Sequence, residues 1–119
     1  MSEHTEQAAL IKWADIASGQ RPELGLLFAI PNAGQRSRAA AGREIAQGLR
    51  AGIPDMFLPV ARGGAHGLWI ELKVGRNKPT PLQDWWLRRL AEQGYRAVVC
   101  YGWEAAKAAI EEYLTGETK

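Results

Sequence analysis

The sequence predicts an α/β fold in which helices flank a small mixed sheet, with residues 1–119 forming one domain. Three patterns predict it. Apolar residues recur at helical spacing near both ends of the chain and again after Thr80. From Leu68 to Lys73, apolar and polar side chains alternate with the period of two that a strand imposes. Glycine and proline punctuate the remainder into the order helix, strand, short helix, two-stranded hairpin, helix, strand, helix, a layered α/β arrangement. A chain of 119 residues can build one core without disulfide or metal staples.

The first helix is expected from Glu3 to Ala17, with Ser2 as N-cap and Glu3 and Glu6 in the first turn, where the helix dipole favours carboxylates. Leu10, Ile11, Trp13, Ala14 and Ala17 trace its apolar stripe. Ser18 to Pro22 breaks it, and Leu24 to Ile30 reads as a short buried strand ending at Pro31. The loop Asn32 to Arg38 offers backbone N–H groups and the guanidinium forks of Arg36 and Arg38, both suited to phosphate oxygens; two solvated arginines on a turn are the plain alternative. Ala39 to Arg50 reads as a short alanine-rich helix carrying Arg43 and Arg50, closed by Gly52. Beyond the hairpin, the loop Val74 to Pro79 brings Arg76 and Lys78 beside the end of the Leu68–Lys73 strand as candidate phosphate contacts. Thr80-Pro81-Leu82-Gln83 has the form of a capping box, which gives Gln83 a structural task. That helix runs to about Gln93 with Leu82, Trp86 and Leu90 on one stripe; Trp85 lies beside it, and if exposed would mark a subunit contact. Tyr95 to Tyr101 reads as a strand and Trp103 to Leu114 as the last helix, with Ala106, Ala109, Ile110 and Tyr113 facing inward. Thr115 to Lys119 reads as a frayed tail.

The chemistry concentrates in the hairpin. Trp69, Glu71 and Lys73 share one face of their strand and Leu68, Ile70 and Leu72 the other. A preceding strand that begins at Asp55, directly after Pro54, and pairs antiparallel through a turn around Arg62 to Gly67, brings Asp55 level with Glu71. Two carboxylates and an ammonium then meet. Hard divalent cations are held by one or two carboxylates together with phosphate oxygens, so Asp55 and Glu71 suit Mg²⁺ or Mn²⁺, and Lys73 could orient or deprotonate an attacking water. The plain alternative is a half-exposed strand on which Glu71 and Lys73 are merely solvated.

Pro54-Asp55 followed by Glu71-Leu72-Lys73 resembles the PD-(D/E)xK nuclease signature, and the surroundings resemble its virus-type replication-repair branch, the VRR-NUC domain. The further matching pieces are Glu3 and Gln7, the loop Pro31-Asn32-Ala33-Gly34, Gly48 to Gly52, and Gln83. The chain departs from the family at Ala33, where a second glycine is common. The resemblance implies a restriction-endonuclease-like fold and a metal-dependent DNA endonuclease. It implies Asp55, Glu71, Lys73 and Gln83 as the catalytic set, and Glu3, Asp55, Glu71 and the Leu72 carbonyl around the metal, with Glu6 the competitor of Glu3. DNA contacts would come from Asn32, Arg36, Arg38, Arg76 and Lys78. Single-domain members are similar to homodimeric enzymes that cut branched DNA, four-way junctions in particular.

Other chemistries lack their residues: there is no Gly-x-Ser-x-Gly, His-Glu-x-x-His, paired Cys-x-x-Cys or phosphate-binding loop. His66 reads as a solvated turn residue. Cys100, the sole cysteine, reads as a buried thiol. No apolar run approaches the roughly 20 residues that span a bilayer, and the N-terminus has no signal-peptide regions, so a cytosolic setting is expected. The alanine- and arginine-rich composition suits a bacterial or phage source. The net charge of +2 does not announce a nucleic-acid binder by itself. Two rival functions stay open: a non-catalytic DNA-binding module of the same fold, and a nicking or restriction-like nuclease on linear duplex.

Overall fold

Ser2 opens the first helix as expected: its hydroxyl accepts the Thr5 N–H at 3.1 Å, satisfying a donor that the first turn leaves free. The computed structural model describes residues 2–31, 42–43 and 45–117. Its helices are α1 (Glu3–Ala17), α2 (Pro81–Glu92) and α3 (Trp103–Leu114), and its strands β1 (Phe28–Ala29), β2 (Met56–Leu58), β3 (Leu68–Lys73) and β4 (Arg96–Tyr101). The strands form one sheet in the order β1-β2-β3-β4, antiparallel up to β3 and parallel between β3 and β4. The sheet is therefore mixed, as the sequence predicts.

Register follows from the pleat. Met56 faces Ile70 and Leu58 faces Leu68, so these side chains share one face with Leu72. That face carries the core, into which α1 sends Leu10 and Ala14 and α3 sends Ala106 and Ile110. Each of these eight side chains is almost completely removed from solvent, and Leu72 with them. α2 packs against β4 yet buries none of its own side chains, leaving Leu82 and Trp85 about half exposed. Its capping box is complete: Gln83 N–H donates to Thr80 Oγ1 at 3.2 Å, and Thr80 N–H donates to Gln83 Oε1 at 2.9 Å.

Four expectations are corrected. Leu24–Ile30 is not one buried strand: Pro22–Leu26 forms a 3₁₀ turn with Pro22 at its start, and the strand is Phe28–Ala29, both exposed and paired with β2, with Ile30 N–H adding a bond to the Asp55 carbonyl at 2.8 Å. Proline there presets a helical φ, and Leu24 and Leu27 reach the core from the turn instead of from a strand. β2 starts at Met56, one residue after Asp55. Residues 39–41 and 44 of the expected short helix lie outside the described residues; its helical part ends at Ala46, and Gly48, at φ +103°, provides the left-handed exit assigned above to Gly52. The tail is not frayed up to Glu117, because Gly63 N–H donates to the Glu117 carbonyl at 2.7 Å. Among the described residues no helix is long and apolar enough to cross a membrane.

Candidate active site

The hairpin brings the two strands of the site together. Gly63 and Gly64 take positive φ of 57° and 85°, the pairing that a tight turn needs to match strand twist, and Arg62 bridges Ala65 across it. Continuing the β2–β3 register one step beyond Met56 brings Asp55 opposite Glu71, and a second step brings Pro54 opposite Leu72. The Leu72 N–H, which a ladder would give to Pro54, instead donates to Asp55 Oδ2 at 2.7 Å. Within a strand a residue's N–H and C=O point to the same side, so the Leu72 carbonyl also faces this edge, and proline has no N–H to return to it. Pro54-Asp55 thus fixes one carboxylate and leaves a carbonyl without its ladder donor.

Glu71 is 1% exposed and Lys73 is 7% exposed, which overturns the solvated alternative. Lys73 Nζ stands 3.5 Å from Glu71 Oε2, whereas Glu71 Oε1 is buried with no hydrogen-bond partner among the described residues. Burial and the neighbouring Asp55 charge push the Glu71 carboxyl from the ordinary 4.5 up to about 8, against the pull of Lys73. Burial also raises Asp55, partly offset by the Leu72 N–H and the neighbouring Lys73 charge. A buried carboxyl next to a half-buried one resists ionising, even with Lys73 at hand, so Glu71 retains its proton around neutrality unless a further cation joins it.

The remaining candidates divide. Glu6 accepts the Trp103 N–H next to Gly102, whose own N–H donates to the Lys73 carbonyl, so the first turn of α1 stands at the end of β3. Glu3, on that turn, is half-buried, and no group of three His, Cys, Asp or Glu side chains is gathered for a metal among the described residues. Gln83 has its carbonyl committed to the capping box. Arg76 and Lys78 are exposed on the loop after β3. Asn32, Arg36 and Arg38 lie outside the described residues. His66 is exposed at the turn, and Cys100 is buried, which raises its thiol pKa.

Sequence reasoning missed the part played by Glu6. It is buried, and its Oε1 accepts the Trp103 N–H at 3.0 Å, capping α3 from another helix. The signal was present: Gly102, which precedes α3, has no side chain to cap with. Gly102 N–H in turn donates to the Lys73 carbonyl at 2.9 Å, so Glu6 braces the turn against which β3 ends.

Residues 2–104 match the VRR-NUC domain family. The chain belongs to the VRR-NUC domain family. A solved structure described as a VRR_NUC domain protein is similar to this VRR-NUC chain at 29% identity and a TM-score of 0.83, over 99% of this chain and 92% of that one. No curated protein matches the chain. VRR-NUC domains are nuclease domains, so membership makes this chain a nuclease-family protein with DNA as its class of partner. The Pro54-Asp55 and Glu71-Leu72-Lys73 segments both fall inside the matched span.

Proposed function

We propose that this VRR-NUC protein is a divalent-metal-dependent DNA endonuclease, and that it cuts branched DNA, four-way junctions in particular, as a homodimer. The observation that carries the catalytic part is Glu71 Oε1: a buried carboxylate oxygen without a donor among the described residues, beside a second carboxylate and the Leu72 carbonyl, to which Pro54 has no N–H to give. Oxygen donors of this kind fit a hard cation such as Mg²⁺ or Mn²⁺. Asp55, Glu71 and the Leu72 carbonyl would hold it, with Glu3 joining from α1. The bound cation would supply Lewis-acid stabilisation of charge on the scissile phosphate.

The chain's own groups account for the rest. Asp55 is oriented by the Leu72 N–H before any substrate arrives. Lys73, held at Glu71 and shielded from solvent, orients the attacking water and offsets negative charge that develops on the phosphate. Arg76 and Lys78 provide exposed cations next to β3 for the DNA backbone; Asn32, Arg36 and Arg38, outside the described residues, are the other candidates for that contact. Gln83 keeps its amide NH₂ to offer at the mouth of α2 while its carbonyl caps the helix. A dimer suits a junction because two symmetry-related sites can nick two strands of a two-fold substrate.

The test is cleavage of a labelled four-way junction beside a linear duplex of the same sequence, with Mn²⁺, Mg²⁺ or chelator, for wild type and Lys73→Ala. Paired, metal-dependent nicks confined to the junction and lost in Lys73→Ala, with DNA binding retained, are expected. Equal cutting of the linear duplex removes the junction preference. Binding without any metal-dependent cutting removes the enzyme and leaves the DNA-binding module.

A further inference from the structure

The face of the sheet opposite the core carries a row of aromatic rings that the site above does not use. Phe28, Phe57 and Trp69 stand opposite one another across β1, β2 and β3. Alternation gives Trp69 the face of Glu71, and Phe57 that of Asp55. The Phe57 and Trp69 rings stack at 4.2 Å and 25°, Phe28 meets Phe57 edge-on at 5.9 Å, and Tyr95 closes the row at 5.8 Å from Phe57. None of the four belongs to the hydrophobic core, and Phe28 is 46% exposed. Gly67 keeps the row level, because a Cβ there would come within 2.7 Å of the Phe57 ring.

We infer that this row is a stacking site for an unpaired base of single-stranded DNA, next to the scissile phosphate. The inference rests on the nuclease reading of Asp55 and Glu71. The row lies two residues along the strands from that pair, roughly 7 Å, so a strand whose phosphate reaches the carboxylates passes over it. Bases within a duplex stay stacked on each other and offer no free ring face, whereas an unpaired base can lie on an aromatic side chain, as on other sheet surfaces that read single strands. The surface therefore takes a nucleotide left unpaired beside the cut, as where strands open at the branch point of a junction.

The experiment is equilibrium binding by fluorescence anisotropy, in chelator so that nothing is cleaved. It compares a labelled oligothymidine with a labelled duplex, for wild type, Phe28→Ala, Phe28→Leu and Phe28→Trp. Leucine keeps an apolar contact with Phe57 and so guards against misfolding, which thermal melts monitor. Phe28→Ala and Phe28→Leu should weaken oligothymidine binding by about fivefold or more and duplex binding by less than about twofold, with Phe28→Trp restoring affinity. Unchanged oligothymidine binding in Phe28→Ala and Phe28→Leu, or equal losses on both DNAs, overturns the stacking site. Asp55→Asn tested for cleavage keeps the two readings separate: cutting that depends on Asp55 while Phe28 proves neutral sinks only the stacking site.

Discussion

Replacing Glu71 by glutamine should make the metal-free protein more stable in mild alkali while removing its response to divalent cations. In the fold the Glu71 carboxyl titrates at about 8 in place of the ordinary 4.5, because it is buried beside Asp55. The folded state therefore binds the proton more tightly than the unfolded chain. The stability this proton confers is fully present below about pH 4.5 and is lost as pH rises through about 8. At about 1.4 kcal/mol for each pH unit of displacement, ionising Glu71 in the folded protein costs on the order of 5 kcal/mol by pH 9. Glutamine keeps the shape, needs no proton and can donate to Asp55. It gives up the Lys73–Glu71 contact at 3.5 Å, which offsets part of the gain. The net benefit is about 2 kcal/mol, or roughly 8 °C in Tm for a domain of this size. Thermal melts of wild type and Glu71→Gln in chelator, from about pH 5 to pH 9, measure it. The curves should lie closest near pH 5, diverge steadily as pH rises towards about 8 and run parallel above it, with the variant higher in mild alkali. Adding millimolar Mn²⁺ at high pH should raise wild-type Tm and leave Glu71→Gln nearly unmoved, since a ligand that binds only the folded state stabilises it by mass action. Parallel curves across the pH range would refute the buried, proton-retaining Glu71.

Two further outcomes follow from individual contacts. Glu6→Ala uncaps α3 and should lower stability by about 1–2 kcal/mol, read in urea melts, with Glu6→Gln recovering most of it because an amide oxygen can still accept the Trp103 N–H. Thr80→Ala and Gln83→Ala each break the capping box and should each cost about 1 kcal/mol in the same assay; only Gln83→Ala should also slow cleavage well below Tm, and equal cleavage by both variants would confine Gln83 to capping.

What could be read in the sequence is what local physics decides. Alternation from Leu68 to Lys73 and the position of Asp55 decide how β2 pairs with β3, since a slip of one residue would expose Ile70 and bury Trp69 on the core side; the turn alone does not, because continuing the Arg62–Ala65 pairing would put Asp55 opposite Leu72. The capping box at Thr80 is equally local. Where tertiary packing decides, the pattern misleads. Leu24 and Leu27 are apolar enough for a strand, but Pro22 starts a 3₁₀ turn that delivers both to the core. Glu71 and Lys73 look like the wet side of a strand, and only the assembled fold shows them enclosed. Glu6 reads as a dipole-favoured carboxylate of its own helix, while its partner lies 97 residues away.

That separation bears on how the chain folds. Closing so long a loop is slow, and α1 can form as soon as its own residues are available, well before Trp103 exists to receive its carboxylate. Every strand of the sheet lies inside the loop that this one bond closes. The contact between Glu6 and Trp103 is therefore a late folding event, and destabilising it should speed unfolding more than it slows folding.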